Sequence, residues 1–138
     1  MVVLSFTIGF TFASCPEGFE LENPGIGCYH FNLKDRMPWV DAVDYCQSIG
    51  GYLAEITSES EFLPIQAFTN ALTNENIWIG GTDLGSEGNF RWISSGEHIT
   101  YNGAWAPSQP DNAYRRGDYE HCVSLMSLHD HLWNDSNC

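Results

Sequence analysis

Five oxygen-bearing side chains near the C-terminal end of this 138-residue chain have the types and spacing to hold a cation. Gln109 and Asp111 flank Pro110, Glu120 stands two residues before Cys122, and Asn134-Asp135 follow Trp133 just ahead of Cys138. Two amides and three carboxylates form an all-oxygen donor set, which suits a hard cation such as calcium and not a soft transition metal. Calcium takes six to eight oxygens at roughly 2.3–2.6 Å, so five side chains leave room for a backbone carbonyl and for hydroxyls of a ligand. Each residue alone reads as an ordinary loop residue. Their joint occurrence with two flanking cysteines marks them as a ligand set.

Other chemistry is weaker. Paired carboxylates can act as acid and base in glycoside hydrolysis, but carboxylates committed to calcium are held ionised and cannot serve as the acid. No serine elbow stands in the sequence, and no catalytic residue is assigned. His129 and His131 are two apart but lack a third zinc ligand nearby, so both are expected to be exposed in a turn. Arg115-Arg116 reads as a solvated loop. Asn134-Asp135-Ser136 matches a glycosylation acceptor only formally, because its Asn is wanted as a ligand.

Composition narrows the partners. Eighteen acidic residues against five basic ones give a net charge of −13. Nucleic acid and anionic membranes need clustered Lys and Arg and are excluded as partners, whereas cations are favoured. Residues 1–13 read as a secretory signal, with an apolar run from Val2 to Phe12 and small residues before Ser14. That run is too short to span a bilayer, and no other run approaches the ~20 residues required. The remaining 14–138 form one domain, secreted into an oxidising extracellular compartment. Its five cysteines (Cys15, Cys28, Cys46, Cys122, Cys138) fit that compartment, but their number is odd. One must therefore lack an intramolecular partner within these residues; a truncated C-terminus is the simplest source of the imbalance, and an intermolecular disulfide or a free thiol are the alternatives.

The elements that must position the ligands follow from spacing. Phe19–Leu21 and Gly27–Phe31 read as short strands around Asn23-Pro24-Gly25. Met37–Ile49 reads as an amphipathic helix, with Pro38 in its first turn and Gly50-Gly51 as its stop. A second helix starts at the capping-box pattern Ser58-Glu59-Ser60-Glu61 and runs to Leu72, with a kink or restart expected at Pro64. Ile77–Ile79, Phe90–Ile93, Cys122–Met126 and Leu132–Trp133 read as strands. Between them Gly80–His121 is a long irregular segment that six aromatics argue is ordered and functional.

In order, Trp78-Ile79-Gly80-Gly81, Gln109-Pro110-Asp111, Glu120-His121-Cys122-Val123 and Trp133-Asn134-Asp135 resemble the signature segments of C-type lectin domains. Cys15-Pro16-Glu17-Gly18-Phe19 with Cys28 resembles the N-terminal hairpin of that family's long form. The resemblance covers residues 15–138. It implies an α+β fold of two helices, small antiparallel sheets and a long calcium-binding loop region. It implies Cys15–Cys28 and Cys122–Cys138 disulfides, with Cys46 paired to a cysteine on a last strand beyond residue 138. Carried over residue by residue, the principal calcium site falls on Gln109, Asp111, Glu120, Asn134 and Asp135, with a cis peptide before Pro110. An auxiliary calcium site falls on Asp83 and Glu87, with Asn112 where some relatives have Asp and with Glu120 shared.

The resemblance also implies a function: calcium-dependent binding of glycans, of use in innate recognition or agglutination. Vicinal sugar hydroxyls ligate the ion and hydrogen-bond to Gln109, Asp111, Glu120 and Asn134. The amide-then-acid order, Gln109 before Asp111, is associated with galactose-type sugars, and the reverse order with mannose-type ones. Where some galactose-binding relatives place a stacking Trp this chain has Ala113, with Tyr114 beside it as a substitute. A mannose-type or broad specificity, and a calcium-stabilised module that binds protein and no sugar, are the rival readings. Single sugar contacts are weak, so multivalency through a homo-oligomer is expected.

Overall fold

Apolar residues at Trp39, Ala42 and Cys46 recur at helical spacing and line the buried face of helix α1 (Trp39–Ser48), in a structure that is a computed structural model describing residues 2–7, 15–23 and 27–138. Pro38 caps its start and Gly50, at φ 82°, turns the chain out of it. Helix α2 (Glu59–Leu72) begins at Ser58, whose hydroxyl accepts from the Glu61 N–H at 3.3 Å. The Glu61 carboxylate reaches back to the Thr57 N–H at 2.8 Å and also accepts from the buried Tyr29 hydroxyl at 2.7 Å. The capping acid is thus a core bond as well as a helix start. The helix runs through Pro64 without the expected restart. Phe62 and Ile65 are buried from it, each contributing about 1.5–3 kcal/mol.

The strands are β1 (Val2–Thr7), β2 (Leu21–Asn23), β3 (Gly27–Asn32), β4 (Tyr52–Leu53), β5 (Ile77–Thr82), β6 (Arg91–Trp92), β7 (Cys122–Met126) and β8 (Leu132–Ser136). They form one sheet in the order β2-β3-β1-β5-β7-β8, with β4 on β1 and β6 on β5. All pairings are antiparallel except β1 with β5. Residues 2–7, expected to be part of a leader, therefore occupy a strand position between β3 and β5. Residues 8–14 and 24–26, which include the expected cleavage point and the Asn23-Pro24-Gly25 turn, lie outside the described residues. The disulfides join Cys15 to Cys28 and Cys122 to Cys138, the pairs the family resemblance implies, and Cys46 is buried in α1.

Two cores flank β5. One packs α1 through Trp39, Ala42 and Cys46 on Leu53, Trp78 and Cys122. Two indoles lock it: Trp39 Nε1 donates to the Ile79 carbonyl and Trp78 Nε1 to the Met37 carbonyl, both at 2.9 Å. Close approach explains Gly80-Gly81, since a Cβ on Gly80 would stand 2.8 Å from the Leu53 carbonyl and one on Gly81 2.7 Å from Val123. The other core centres on Trp133, fully buried, with Phe62, Trp92, Tyr101 and Trp105 set edge-on around it at 5.6–6.3 Å. Trp78 and Trp133 are core residues, as their strands suggest.

The β7–β8 connection corrects one expectation. His129 is exposed, but His131 is buried at 2% exposure. Asp130 and His131 both have positive φ (52° and 54°), which folds the turn back onto the end of α2. There the His131 ring bonds Asn70 Oδ1 at 2.6 Å and the Glu75 carbonyl at 3.0 Å. A left-handed pair of this kind leaves no periodic trace in the sequence.

Candidate functional site

The hairpin β7–β8 sets the two fixed walls of the site. Its register pairs Val123 with Asp135 and Ser124 with Asn134, while Glu120 precedes β7. Glu120 and Asp135 are buried at 6% and 1% exposure, and Asp111 comes in from the long loop, exposed. One carboxylate oxygen from each of Asp111, Glu120 and Asp135 lies within 4.8 Å of the others. Asp135 also anchors the loop: Oδ1 accepts from the Asp111 N–H at 3.1 Å and Oδ2 from the Asn112 N–H at 2.7 Å. The Gln109–Pro110 peptide is cis.

The amides flank these acids. Asn134 Nδ2 donates to the Asp135 carbonyl and, at 3.0 Å, to Ser136 Oγ, so the amide oxygen is the group left to offer a ligand. Gln109 Oε1 and Asn112 Oδ1 are buried acceptors without a hydrogen-bond partner among the described residues. A buried acceptor left unmade costs about 1–3 kcal/mol. Burial pushes the Glu120 carboxyl above the usual range, and the Asp135 and Asp111 charges add to the shift while Arg115 and the Ala113 N–H oppose it. Burial raises Asp135 as well, against the N–H groups of Asn112 and Asp111. Three acids facing one another make a donor set that a hard cation fits. The cationic side chain nearest Glu120 is the exposed Arg115, at 3.7 Å.

Around the cluster the loop from Asn112 to Tyr119 carries a feature that sequence reasoning missed. Tyr114 is exposed, as a ligand-facing ring must be, but it stands edge-on to Tyr119 with ring centres 5.0 Å apart. Tyr119 lies immediately before Glu120, and that adjacency is the only sequence signal for it.

Asp83 and Glu87 are brought together with His121. Asp83 Oδ1 meets His121 Nδ1 at 2.9 Å and Glu87 Oε2 approaches the same nitrogen at 3.5 Å. Glu120 is grouped with Asp111 and Asp135, and the Asn112 N–H bonds Asp135. No helix among the described residues is long and apolar enough to cross a membrane.

Comparison with known proteins places this arrangement. The family described as the Lectin C-type domain matches residues 35–138. The chain is 35% identical over 126 residues to perlucin of Haliotis laevigata, an alignment covering 90% of this chain and 76% of perlucin. It is 36% identical over 116 residues to C-type lectin domain family 4 member F of Mus musculus, covering 81% of this chain but spanning only 20% of that protein. Among solved structures, the mouse scavenger receptor C-type lectin carbohydrate-recognition domain superposes with a TM-score of 0.77 at 30% identity, covering 91% of this chain and 90% of that one.

Proposed function

This chain belongs to the C-type lectin domain family, and we propose that it is a secreted, calcium-dependent, non-catalytic glycan-binding module with a preference for galactose-type sugars. Residues 1–13 are its leader in this reading, and the domain begins near Ser14. The observation that carries the proposal is the convergence of Asp111, Glu120 and Asp135 within 4.8 Å of one another. Calcium, when bound by Gln109, Asp111, Glu120, Asn134 and Asp135, supplies open coordination positions that accept sugar oxygens.

The chain's own residues do the rest. Asp111 and Glu120 accept hydrogen bonds from sugar hydroxyls, the Gln109 amide donates one, and Asn134 contributes its amide oxygen. Gln109 ahead of Asp111 orders donor before acceptor along the loop, the arrangement associated with galactose-type sugars. Tyr114, braced by Tyr119, offers a ring face to the apolar side of such a sugar. Single sites of this kind are weak, so an oligomer that presents several to one surface raises avidity.

The test is retention of the protein on immobilised galactose and on immobilised mannose, with calcium and then with a chelator. Retention on galactose that is lost on chelation is expected. Retention that survives the chelator, or elution by mannose but not by galactose, would contradict the calcium mechanism or the sugar preference respectively.

A further inference from the structure

We propose that Arg115 and Arg116 form an anion subsite beside the oxygen cluster, so that the preferred ligand is a galactose-type unit carrying a sulfate or carboxylate group. The inference rests on the glycan reading of that cluster and names the class of glycan it takes. Five basic residues stand against eighteen acidic ones, and two of the five are adjacent, in the loop that joins Asp111 to Glu120. Arg36 pairs with Glu75, and Arg91 donates to the Gly96 carbonyl at 3.0 Å. Arg115 Nε lies 3.7 Å from Glu120 Oε1, with its side chain 66% exposed. Arg116, also exposed, makes no side-chain hydrogen bond or ion pair among the described residues.

A solvated loop is what the sequence suggests for this pair; the structure builds a small hairpin instead. The Arg115 N–H donates to the Asp118 carbonyl at 2.8 Å, and the Asp118 N–H returns the bond to the Arg115 carbonyl at 3.1 Å. Arg116 and Gly117 between them have φ of 54° and 93°, the pair of positive values that two-residue hairpin turns favour. A glycine at the first of these positions would be free of strain, yet a cation occupies it. Asn137 Nδ2, just past β8, donates to the Asp118 and Tyr119 carbonyls at 2.9 and 3.1 Å. The hairpin is thereby tied to the end of the strand that carries Asn134 and Asp135. Held in this way, the arginines lose less freedom when they close on a ligand. Their planar forks match the oxygens of a sulfate or a carboxylate. The exposed contact of Arg115 with Glu120 is weak, and a divalent ion touching Glu120 outweighs it, which leaves the Arg115 donors open beside the sugar. A chain of net charge −13 repels anionic glycans at long range, so recognising one requires cations placed at the site itself.

Calorimetry of the calcium-loaded full chain against galactose, galactose sulfate and sialyllactose tests the subsite. At least one anionic sugar should bind about tenfold more tightly than galactose, the scale of one charge-assisted hydrogen bond. That advantage should shrink at high salt. A gain confined to the sulfated or to the sialylated sugar supports the subsite and identifies its anion. Arg115→Gln and Arg116→Gly, the second suited to the positive φ, should each reduce the advantage by about threefold. Affinities for galactose and for calcium should stay constant in both. Arg36→Gln, which removes an equal charge outside the loop, should leave the advantage intact. Equal affinity for neutral and anionic sugars, or an advantage that Arg36→Gln lowers as much as Arg115→Gln does, would overturn the inference and leave the glycan reading standing. Arginine variants that lose calcium affinity in step with sugar affinity would also overturn it, by making the pair a support for the loop. Wild-type protein that binds none of the three sugars would overturn the glycan reading and this inference together.

Discussion

The Asp111–Glu120–Asp135 cluster and the Asp83–Glu87–His121 cluster use the same carboxylate chemistry but balance it differently. In the first, two buried acids and an exposed one face each other, and the nearby Arg115 is exposed at 3.7 Å from Glu120. An exposed ion pair of this kind is worth little, so an external cation is needed to offset the repulsion. In the second, the chain supplies its own partner, the His121 imidazole, whose Nδ1 lies 2.9 Å from Asp83 Oδ1. The first also gathers residues from a loop and from β8, with Asp135 holding the loop through two N–H bonds. The second is largely a local turn. Where the chain supplies no close partner, the acids face one another; where it does, a hydrogen bond is already made.

The largest effect should come from removing Asp135. Asp135→Ala deletes a ligand and frees the Asp111 and Asn112 N–H groups, so calcium binding and galactose retention are both expected to vanish. Calcium at about a hundredfold excess over its Kd stabilises a folded protein by about 2.7 kcal/mol, and that increment should be absent from the variant. Thermal melting with and without calcium measures it.

His121→Asp sharpens the comparison from the other side. It replaces the one nitrogen donor with oxygen, so the second cluster comes to resemble the first. Calorimetry should then count two calcium ions per chain in place of one. An unchanged stoichiometry would show that donor type is not what separates the clusters.

A smaller effect is expected from pH. Burial raises the Glu120 and Asp135 carboxyls, so the folded calcium-free protein keeps protons that the unfolded chain releases. Their contribution favours folding below the unfolded carboxylate range, near about 4, and is lost as pH rises through the raised folded values. Calcium needs the ionised forms, so its affinity should fall on acidification sooner than ordinary carboxylates would dictate. In chelator, Tm against pH should decline less steeply for Glu120→Gln than for wild type. Parallel curves would show that Glu120 does not carry the strain.

How legible each cluster was follows from how its residues are encoded. Helices α1 and α2 were readable from apolar spacing and from Ser58 with Glu61, and β7 and β8 from short apolar runs. The principal cluster was readable because its residues fall in contiguous motifs such as Gln109-Pro110-Asp111. His121 was not, because it meets Asp83 across 38 positions through bonds from Asp83 and Thr82 to its carbonyl, which residue type cannot announce. The two-residue β4 is too short to show a period, and it exists because β1 offers it an edge. His131 looked solvent-facing because the left-handed turn that buries it has no glycine to mark it.

The smallest effect tests the rim of the oxygen cluster. Tyr114 is 64% exposed and Tyr119 50%, so neither contributes much to folding, and their loss should leave Tm almost unchanged. Their edge-on contact at 5.0 Å restrains the Tyr114 ring, which lowers the entropy lost when a sugar face stacks on it. Tyr114→Ala should therefore weaken galactose binding by about 0.5–1.5 kcal/mol while calcium affinity stays constant. Tyr119→Ala should weaken it by less, since the ring remains but its brace is gone. If both substitutions reduce calcium affinity equally, the tyrosines support the loop and not the sugar. If neither alters galactose binding, the specificity lies wholly in the donor order of Gln109 and Asp111.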